Sequence, residues 1–168
     1  VQFRYKKAGR PNLKTISPWQ MAWENGCYYL IAYQDEKEPV GIRHYRVDRM
    51  AGITVLDEPR RGKEQFAGFD LPAYLKKHFN MYGGDEYRVT LRCTADVEPA
   101  MRERFGSGPI FLPEGEEHFH FDVPICVSDQ FYGWVCGFGG KVEITAPAKV
   151  REDLREMTAR IAAAHSGT

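Results

Sequence analysis

The sequence predicts an α+β protein in which a small all-β domain precedes a mixed domain. Two patterns predict this class. Residues 1–58 contain five short β-rich runs separated by turns, and from residue 86 onward strand and helix signals alternate in the order βαββαβ. Five strands in so short a segment do not bury two faces as an open sheet, so we expect a small SH3-like or Sm-like barrel. The order βαββαβ is that of the ferredoxin-like fold.

The first domain is bounded by turn signals. Asn25-Gly26 is typical of a tight hairpin turn, and an acidic turn over 34–39 joins the next two runs. The five predicted strands are residues 2–6, 14–23, 27–34, 41–49 and 52–57.

A polar, turn-rich segment over 58–63 separates the two domains. The segment 59–85 is therefore predicted to be a linker that carries one short helix over 71–79. The predicted organisation is a β-barrel domain over 1–58, the linker, and a ferredoxin-like extension over 86–168.

In the extension, apolar residues and turn glycines mark each element. The predicted elements are strand 87–95, helix 97–105, strand 109–113, strand 118–126, helix 129–138, strand 141–146 and a closing helix 149–164. The helix over 129–138 is rich in aromatic residues. The closing helix has an apolar stripe formed by Val150, Leu154, Met157, Ile161 and Ala164. Both helices are expected to offer apolar area for a homodimer.

Charge is divided unevenly along a chain whose formal net charge is zero. Residues 1–63 contain 12 lysines and arginines against 7 acidic residues, an excess of +5, and the rest of the chain carries the opposite excess. If the protein binds a polyanion, this imbalance favours the first domain as the place, because phosphate contacts dominate nucleic-acid affinity. Ordinary surface variation is the alternative. No apolar run approaches the about 20 residues that a membrane span needs.

The four cysteines are scattered, without the paired spacing of a zinc ribbon or a thioredoxin-like motif. Because each has apolar neighbours, we expect buried free thiols in the reducing cytoplasm. The chain begins at Val1, inside a strand pattern and without a signal segment. We therefore expect it to be part of a longer protein.

The most informative segment is the run over 41–49, where three arginines and a histidine fall within seven residues: Arg43, His44, Arg46 and Arg49. Arginine presents a planar fork of donors that suits phosphate. In a regular strand Arg43 and Arg49 would share one face and His44 and Arg46 the other, unless a bulge or the strand end near Asp48 redirects Arg49. The alternative is that these arginines pair with Asp48, Asp35 or Glu36 on a solvated face.

Tyrosines near this run could stack on a base. Tyr5 and Tyr33 are more typical of barrel core, although Tyr5 is retained as a candidate ligand contact. Tyr28 and Tyr29 are adjacent and must face opposite ways, and Tyr29 is the preferred ligand contact.

No catalytic pattern stands out. His118, His120 and Asp122 share a strand face and could form a metal set, but the alternating Phe119 and Phe121 explain the segment as a half-buried strand. No Gly-x-Ser-x-Gly motif, Walker loop or dinucleotide loop occurs. We therefore expect neither enzyme activity nor a metal or cofactor.

The first domain resembles the WYL family. The family's Trp-Tyr-Leu triplet reads Tyr28-Tyr29-Leu30 here, and its Arg-x-aromatic-x-aliphatic-Asp-Arg strand matches residues 43–49. The segment 86–168 resembles the C-terminal extension (WCX) that often follows WYL domains, most visibly over 134–139 and 142–147. The resemblance implies an Sm-like barrel that binds a ligand through Arg43 and Arg49, with Arg46 and His44 as secondary contacts.

The resemblance also implies the effector-sensing and dimerisation region of a bacterial transcriptional regulator, whose DNA-binding helix-turn-helix domain would precede Val1. The effector would be single-stranded DNA, an oligonucleotide or a nucleotide. One alternative is an accessory nucleic-acid-binding module of a defence or DNA-repair system, and a helix-turn-helix pattern encoded upstream would contradict it. A metal hydrolase using His118, His120 and Asp122 is the third hypothesis, which metal analysis would test.

Overall fold

The computed structural model describes residues 1–7, 9–35 and 40–166. These residues form an α+β protein with three antiparallel sheets and four α-helices, which confirms the predicted class. The chain divides into two compact units, Val1–Leu75 and Lys76–Thr168. Most of the predicted acidic turn over 34–39, including Glu36, lies outside the described residues.

The first unit contains two three-stranded sheets. The strands are β1 (Gln2–Tyr5), β2 (Asn12–Thr15), β3 (Ser17–Glu24), β4 (Cys27–Gln34), β5 (Gly41–Arg46) and β6 (Met50–Thr54). Strand β1 pairs with β2 on one side and β6 on the other, and β4 lies between β3 and β5.

Three of the predicted strands of the first unit differ from the structure. The run 52–57 is shifted, because β6 covers Met50–Thr54. The run 14–23 is not one strand, because the chain passes from β2 to β3 at Ile16, whose side chain is buried in the core. The run 41–49 ends as a strand at Arg46 and continues as a 3-10 turn over Val47–Arg49. The first unit therefore has six described strands rather than five.

The core of the first unit is small and aromatic. Phe3, Ile16, Ala32 and Tyr45 form its buried cluster. The rings of Phe3 and Tyr45 meet edge to face with centroids 5.5 Å apart, an arrangement that aromatic rings favour. Tyr45 donates a hydrogen bond of 2.6 Å to Oε1 of the buried Gln34, so the polar groups of this core are paired.

The segment after β6 packs on the strands of the first unit. The ring of Phe66, in the 3-10 turn Glu64–Phe66, stacks on Trp19 with centroids 5.1 Å apart. Trp19 Nε1 donates to the Arg61 carbonyl at 2.8 Å, and the Arg60 guanidinium lies 4.3 Å from the Trp19 ring. Helix α1 (Leu71–Lys77) follows, two residues shorter than predicted.

The second unit has the predicted order of elements. In chain order the elements are β7 (Glu86–Thr94), α2 (Glu98–Phe105), β8 (Leu112–Glu114), β9 (His118–Cys126), α3 (Asp129–Cys136), β10 (Val142–Ala146) and α4 (Ala148–His165). The four strands form an antiparallel sheet with the order β10-β7-β9-β8.

The aromatic side chains of α3 are used within their own unit. Phe131 and Tyr132 are buried in the core, and Trp134 packs against it beside Phe79 and Phe105. Helix α3 therefore leaves little apolar area for a second copy, contrary to the expectation from its sequence.

All four cysteines are free thiols. Burial raises the pKa of Cys93 to about 12 and also raises the pKa of Cys126, so both stay protonated at neutral pH. Cys27 is half-buried and Cys136 is exposed, so the expectation that every thiol is buried is wrong for these two. No helix in the described part of the chain combines the length and the apolar character that a membrane span requires.

Candidate anion-binding site

Strand β5 carries the arginine run beside β4. In the antiparallel register, Arg43 lies opposite Ala32, His44 opposite Ile31, and Arg46 opposite Tyr29. Arg43 therefore shares its sheet face with the buried Tyr45, while His44 and Arg46 share the other face. Because the strand ends at Arg46, Arg49 is directed by the 3-10 turn and not by strand alternation.

Arg46 is tied to Asp48. Its Nε lies 3.0 Å from Oδ1 and its Nη2 lies 2.7 Å from Oδ2, so the pair is bidentate. The hydrogen bonds from Arg46 lower the pKa of Asp48, and the same bonds raise the pKa of Arg46. The alternative of an arginine paired with Asp48 thus holds for Arg46.

Arg43 is held close to its own segment. Its Nη1 donates to the Ile42 carbonyl at 3.0 Å and its Nη2 to the Val40 carbonyl at 3.3 Å. The guanidinium also lowers the pKa of Tyr45, although burial dominates and raises that pKa to about 12. Arg43 therefore contributes to the order of the chain that enters β5.

Arg49 lines an open groove of about 540 Å³ where β1 ends and β6 begins. Its other lining residues include Lys6, Lys7, Asp48 and Met50. The backbone N–H of Lys6 donates to the Arg49 carbonyl at 3.1 Å, which holds the two cationic positions side by side. Within residues 1–7, 9–35 and 40–166, no carboxylate forms an ion pair with Lys6, Lys7 or Arg49. Asp48, which also lines the groove, is already bound by Arg46.

The two candidate tyrosines lie on opposite sides of Arg46. Tyr29 is half-buried, and burial raises its pKa against the opposing effect of Arg46 and Arg49. Tyr5 packs its ring on Tyr45 with centroids 5.2 Å apart, and its hydroxyl accepts the backbone N–H of Arg46 at 3.1 Å. Tyr5 thus supports the end of β5 from the core side, as its strand position suggested.

His44 contacts helix α1. Its Nε2 lies 2.7 Å from the Tyr74 hydroxyl, and the two rings meet edge to face at 5.6 Å. The Tyr74 ring in turn packs on Phe69 at 4.8 Å, and Phe69 packs on Phe66 at 4.9 Å. The histidine of the arginine run is therefore the point where the linker meets β5.

The polar face of β9 is engaged in ion pairs. Asp122 accepts hydrogen bonds from Thr90 at 2.7 Å and Arg88 at 3.3 Å, and these bonds lower its pKa. His120 Nδ1 lies 3.7 Å from a Glu114 oxygen. No group of three His, Cys, Asp or Glu side chains in the described residues is arranged to hold a metal ion.

The structure brings Arg46, Arg49 and Tyr29 together and directs Arg43 and His44 to other neighbours. The sequence analysis did not single out Lys6 and Lys7, which line the groove beside Arg49. The available signal was a pair of lysines at the end of the first predicted strand, within the cationic half of the chain. Their place beside Arg49 depends on the pairing of β1 with β6, which the sequence does not reveal.

Comparison with protein families assigns both halves of the chain. The family model of the WYL domain matches residues 1–55, and that of the WCX domain matches residues 85–162. No curated protein matches the chain.

Two solved structures are similar. Proteasome accessory factor B/C (PafBC) of Arthrobacter aurescens is 20% identical with a TM-score of 0.42, and the match covers 99% of this chain and 25% of that one. A crystal structure described as a CRISPR Cas-related protein is 17% identical with a TM-score of 0.52, over 98% of this chain and 47% of the other. The second structure contains the same fold within a longer chain. The chain thus spans less than half the length of either.

Proposed function

Because the chain belongs to the WYL family and carries a WCX domain after its WYL domain, we propose that it is the effector-sensing region of a bacterial transcriptional regulator. The effector is a nucleotide or a single-stranded nucleic acid. In this proposal the six strands of the first unit form the Sm-like barrel. The sheet order β10-β7-β9-β8 with α2 and α3 supports a ferredoxin-like extension.

The groove beside the arginine strand carries the proposal. Lys6, Lys7 and Arg49 place three positive charges around one open volume, and Asp48 in the same groove is neutralised by Arg46. Such a site favours a ligand with several negative charges, since each phosphate contact releases condensed counterions. Tyr29 lies opposite Arg46 on β4 and adds an aromatic side chain near the charges.

The contacts of the predicted ligand residues support two roles, ligand contact for some of them and support of β5 for the others. Arg49 is the leading phosphate contact because it lines the groove. Arg46 is a second contact once Asp48 releases it, and Tyr29 lies beside both. Arg43, His44 and Tyr5 shape β5 from its two faces and act on the ligand through that strand.

A regulator of this kind acts by a coupling free energy between effector site and DNA-binding domain. The chain acts without enzymatic chemistry, in the cytoplasm and as a homodimer through its WCX unit, and the DNA-binding domain belongs to the longer protein. An accessory nucleic-acid-binding module is the alternative, and the residues encoded before Val1 decide between them.

The test is a binding titration with a fluorescein-labelled ten-nucleotide oligo-dT over a series of salt concentrations. Three phosphate contacts predict a slope of log K against log salt of roughly −2, since each contributes about 0.7 for single strands. ATP and a double-stranded DNA of equal length are the comparison ligands. Absence of binding to all three probes at low salt, or binding that ignores salt, would contradict the proposal.

A further inference from the structure

The β3-β4 hairpin exposes an apolar face near its turn. Trp23 and Tyr28 lie directly opposite each other, and their rings meet at 4.6 Å with an angle of 67°. Trp23 is 59% exposed and Tyr28 is 53% exposed, and Met21 on the same face is 55% exposed. Large apolar side chains exposed in a group on one face are unusual and mark contact surfaces.

The same face is buried farther along the hairpin. Met21 lies opposite Leu30, and Leu30 packs against the core of the first unit. The exposed pair therefore continues the inner face of the sheet beyond the edge of the core. Both residues lie in regular strands, and their rings contact each other.

The 3-10 turn that ends at Arg49 packs against β4, the strand that carries Tyr28. Tyr29 lies opposite Arg46, the last residue of β5. The residue that follows, Val47, begins the 3-10 turn and comes next to Tyr28. Arg49 lines the groove with Lys6 and Lys7. Trp23 and Tyr28 lie on the sheet face opposite to Tyr29 and Arg46, so a nucleic-acid strand held at Arg49 would reach the two rings around the end of β5.

We propose that Trp23 and Tyr28 form a stacking platform for an unpaired base of a single-stranded nucleic acid whose phosphates lie along the Lys6–Arg49 groove. The inference rests on the proposed function. It adds an aromatic contact for a base, which none of the residues lining the groove provides. Bases stack on aromatic side chains regardless of sequence, whereas phosphates bind the cations. A second copy of the chain is a poorer occupant, because three side chains are far fewer than the roughly 20–30 residues a side of a stable interface.

The experiment compares two ten-nucleotide probes, oligo-dT and an abasic strand with the same phosphates. Trp23→Ala is expected to weaken oligo-dT binding about tenfold, within the range for one stacked base, and to leave abasic binding unchanged. Trp23→Phe keeps an aromatic face and restores most of the loss. Tyr82→Ala, which removes an equally exposed tyrosine from the second unit, is the matched control and leaves both affinities unchanged.

The outcomes separate the inference from the proposed function. If the wild type binds oligo-dT and Trp23→Ala binds it equally well, the stacking platform is wrong while the groove stands. If neither probe binds the wild type, both are wrong. If Trp23→Ala converts a dimer to a monomer by sedimentation, the aromatic face is a protein interface and the platform is overturned. Circular dichroism of both Trp23 variants confirms that each is folded.

Discussion

The guanidinium of Arg46 donates hydrogen bonds to both carboxylate oxygens of Asp48, and its Nη2 lies 2.7 Å from Oδ2. Asp48 lines the cationic groove, so this pair holds one arginine away from a ligand and removes one negative charge from its path. The strand end at Arg46 makes the pair possible, because the 3-10 turn brings Asp48 back toward the arginine.

Asp48→Asn is therefore expected to increase nucleic-acid affinity. The substitution frees Arg46 to reach a phosphate, and one added contact steepens the salt slope for single strands by about 0.7. Asp57→Asn, which removes the same charge from an exposed position of the same unit, is the control and leaves the slope unchanged. An unchanged slope for Asp48→Asn would show that Arg46 does not reach the ligand.

The Arg46–Asp48 pair is also expected to persist through mildly acidic conditions. Arg46 lowers the pKa of Asp48, so its stabilisation is present above the ordinary carboxylate pKa and is lost only as pH falls through the lowered value. Oligo-dT affinity should then show no step from Asp48 between pH 5 and 8. A titration of the Asp48 carboxyl by NMR checks the direction, and an unshifted or raised pKa would contradict it.

Arg49 and Arg43 are expected to behave differently. Arg49→Ala should cost about 1.5–3 kcal/mol of ligand binding, the range for a hydrogen bond to a charged group, with the fold intact. Arg43→Ala should instead lower thermal stability, because it removes the donors to the Ile42 and Val40 carbonyls. Isothermal calorimetry and thermal melts separate the two effects, with Arg160→Ala on the exposed part of α4 as control.

Lysine at position 49 tests how Arg49 recognises the ligand. If recognition uses the planar fork of arginine, Arg49→Lys should restore little binding relative to Arg49→Ala. Much restored binding would indicate that positive charge alone is sufficient. If Arg49→Ala unfolds the protein, the assignment of Arg49 as a ligand contact is wrong.

The sequence predicted the class, the element order of the second unit and the cationic strand, because these depend on local periodicity and charge. It left open whether a bulge or a strand end near Asp48 redirects Arg49, since Asp48 is the only turn-favouring residue near the end of a run that otherwise alternates as a strand. The structure shows a strand end at Arg46. It also missed the packing of the linker. Phe66 finds Trp19 through contacts far apart in sequence, which composition does not reveal.

The packing of the linker also predicts that alanine at two of its glycines will cost different amounts of stability. Gly62 and Gly68 both have positive φ, +81° and +71°, but a Cβ at Gly62 would come within 2.3 Å of the Tyr33 ring while Gly68 has open space. Each alanine substitution costs about 1–2 kcal/mol for the left-handed backbone. Gly62→Ala should cost clearly more in urea unfolding, and equal losses would mean that the Tyr33 contact does not form.

The closing helix supports a last prediction, on dimerisation. Along the predicted stripe of α4, Val150 is fully buried and Leu154 and Met157 pack on the core of their own unit, whereas Ile161 is 45% exposed. Only the outer end of the stripe remains for a second copy. If α4 carries the dimer contact, Ile161→Glu should weaken self-association at least about tenfold, because it places a charge where an apolar side chain, worth about 1.5–3 kcal/mol when buried, would lie.

Ala159→Glu introduces the same charge about 200° around the helix and is the matched control. Sedimentation equilibrium should show a dimer for this control and a monomer for Ile161→Glu at the same concentration, with equal helix content by circular dichroism. Equal association of both variants and the wild type would exclude the outer stripe as the interface. The dimer contact would then have to lie on another surface, since the inner part of the stripe is already covered within one protomer.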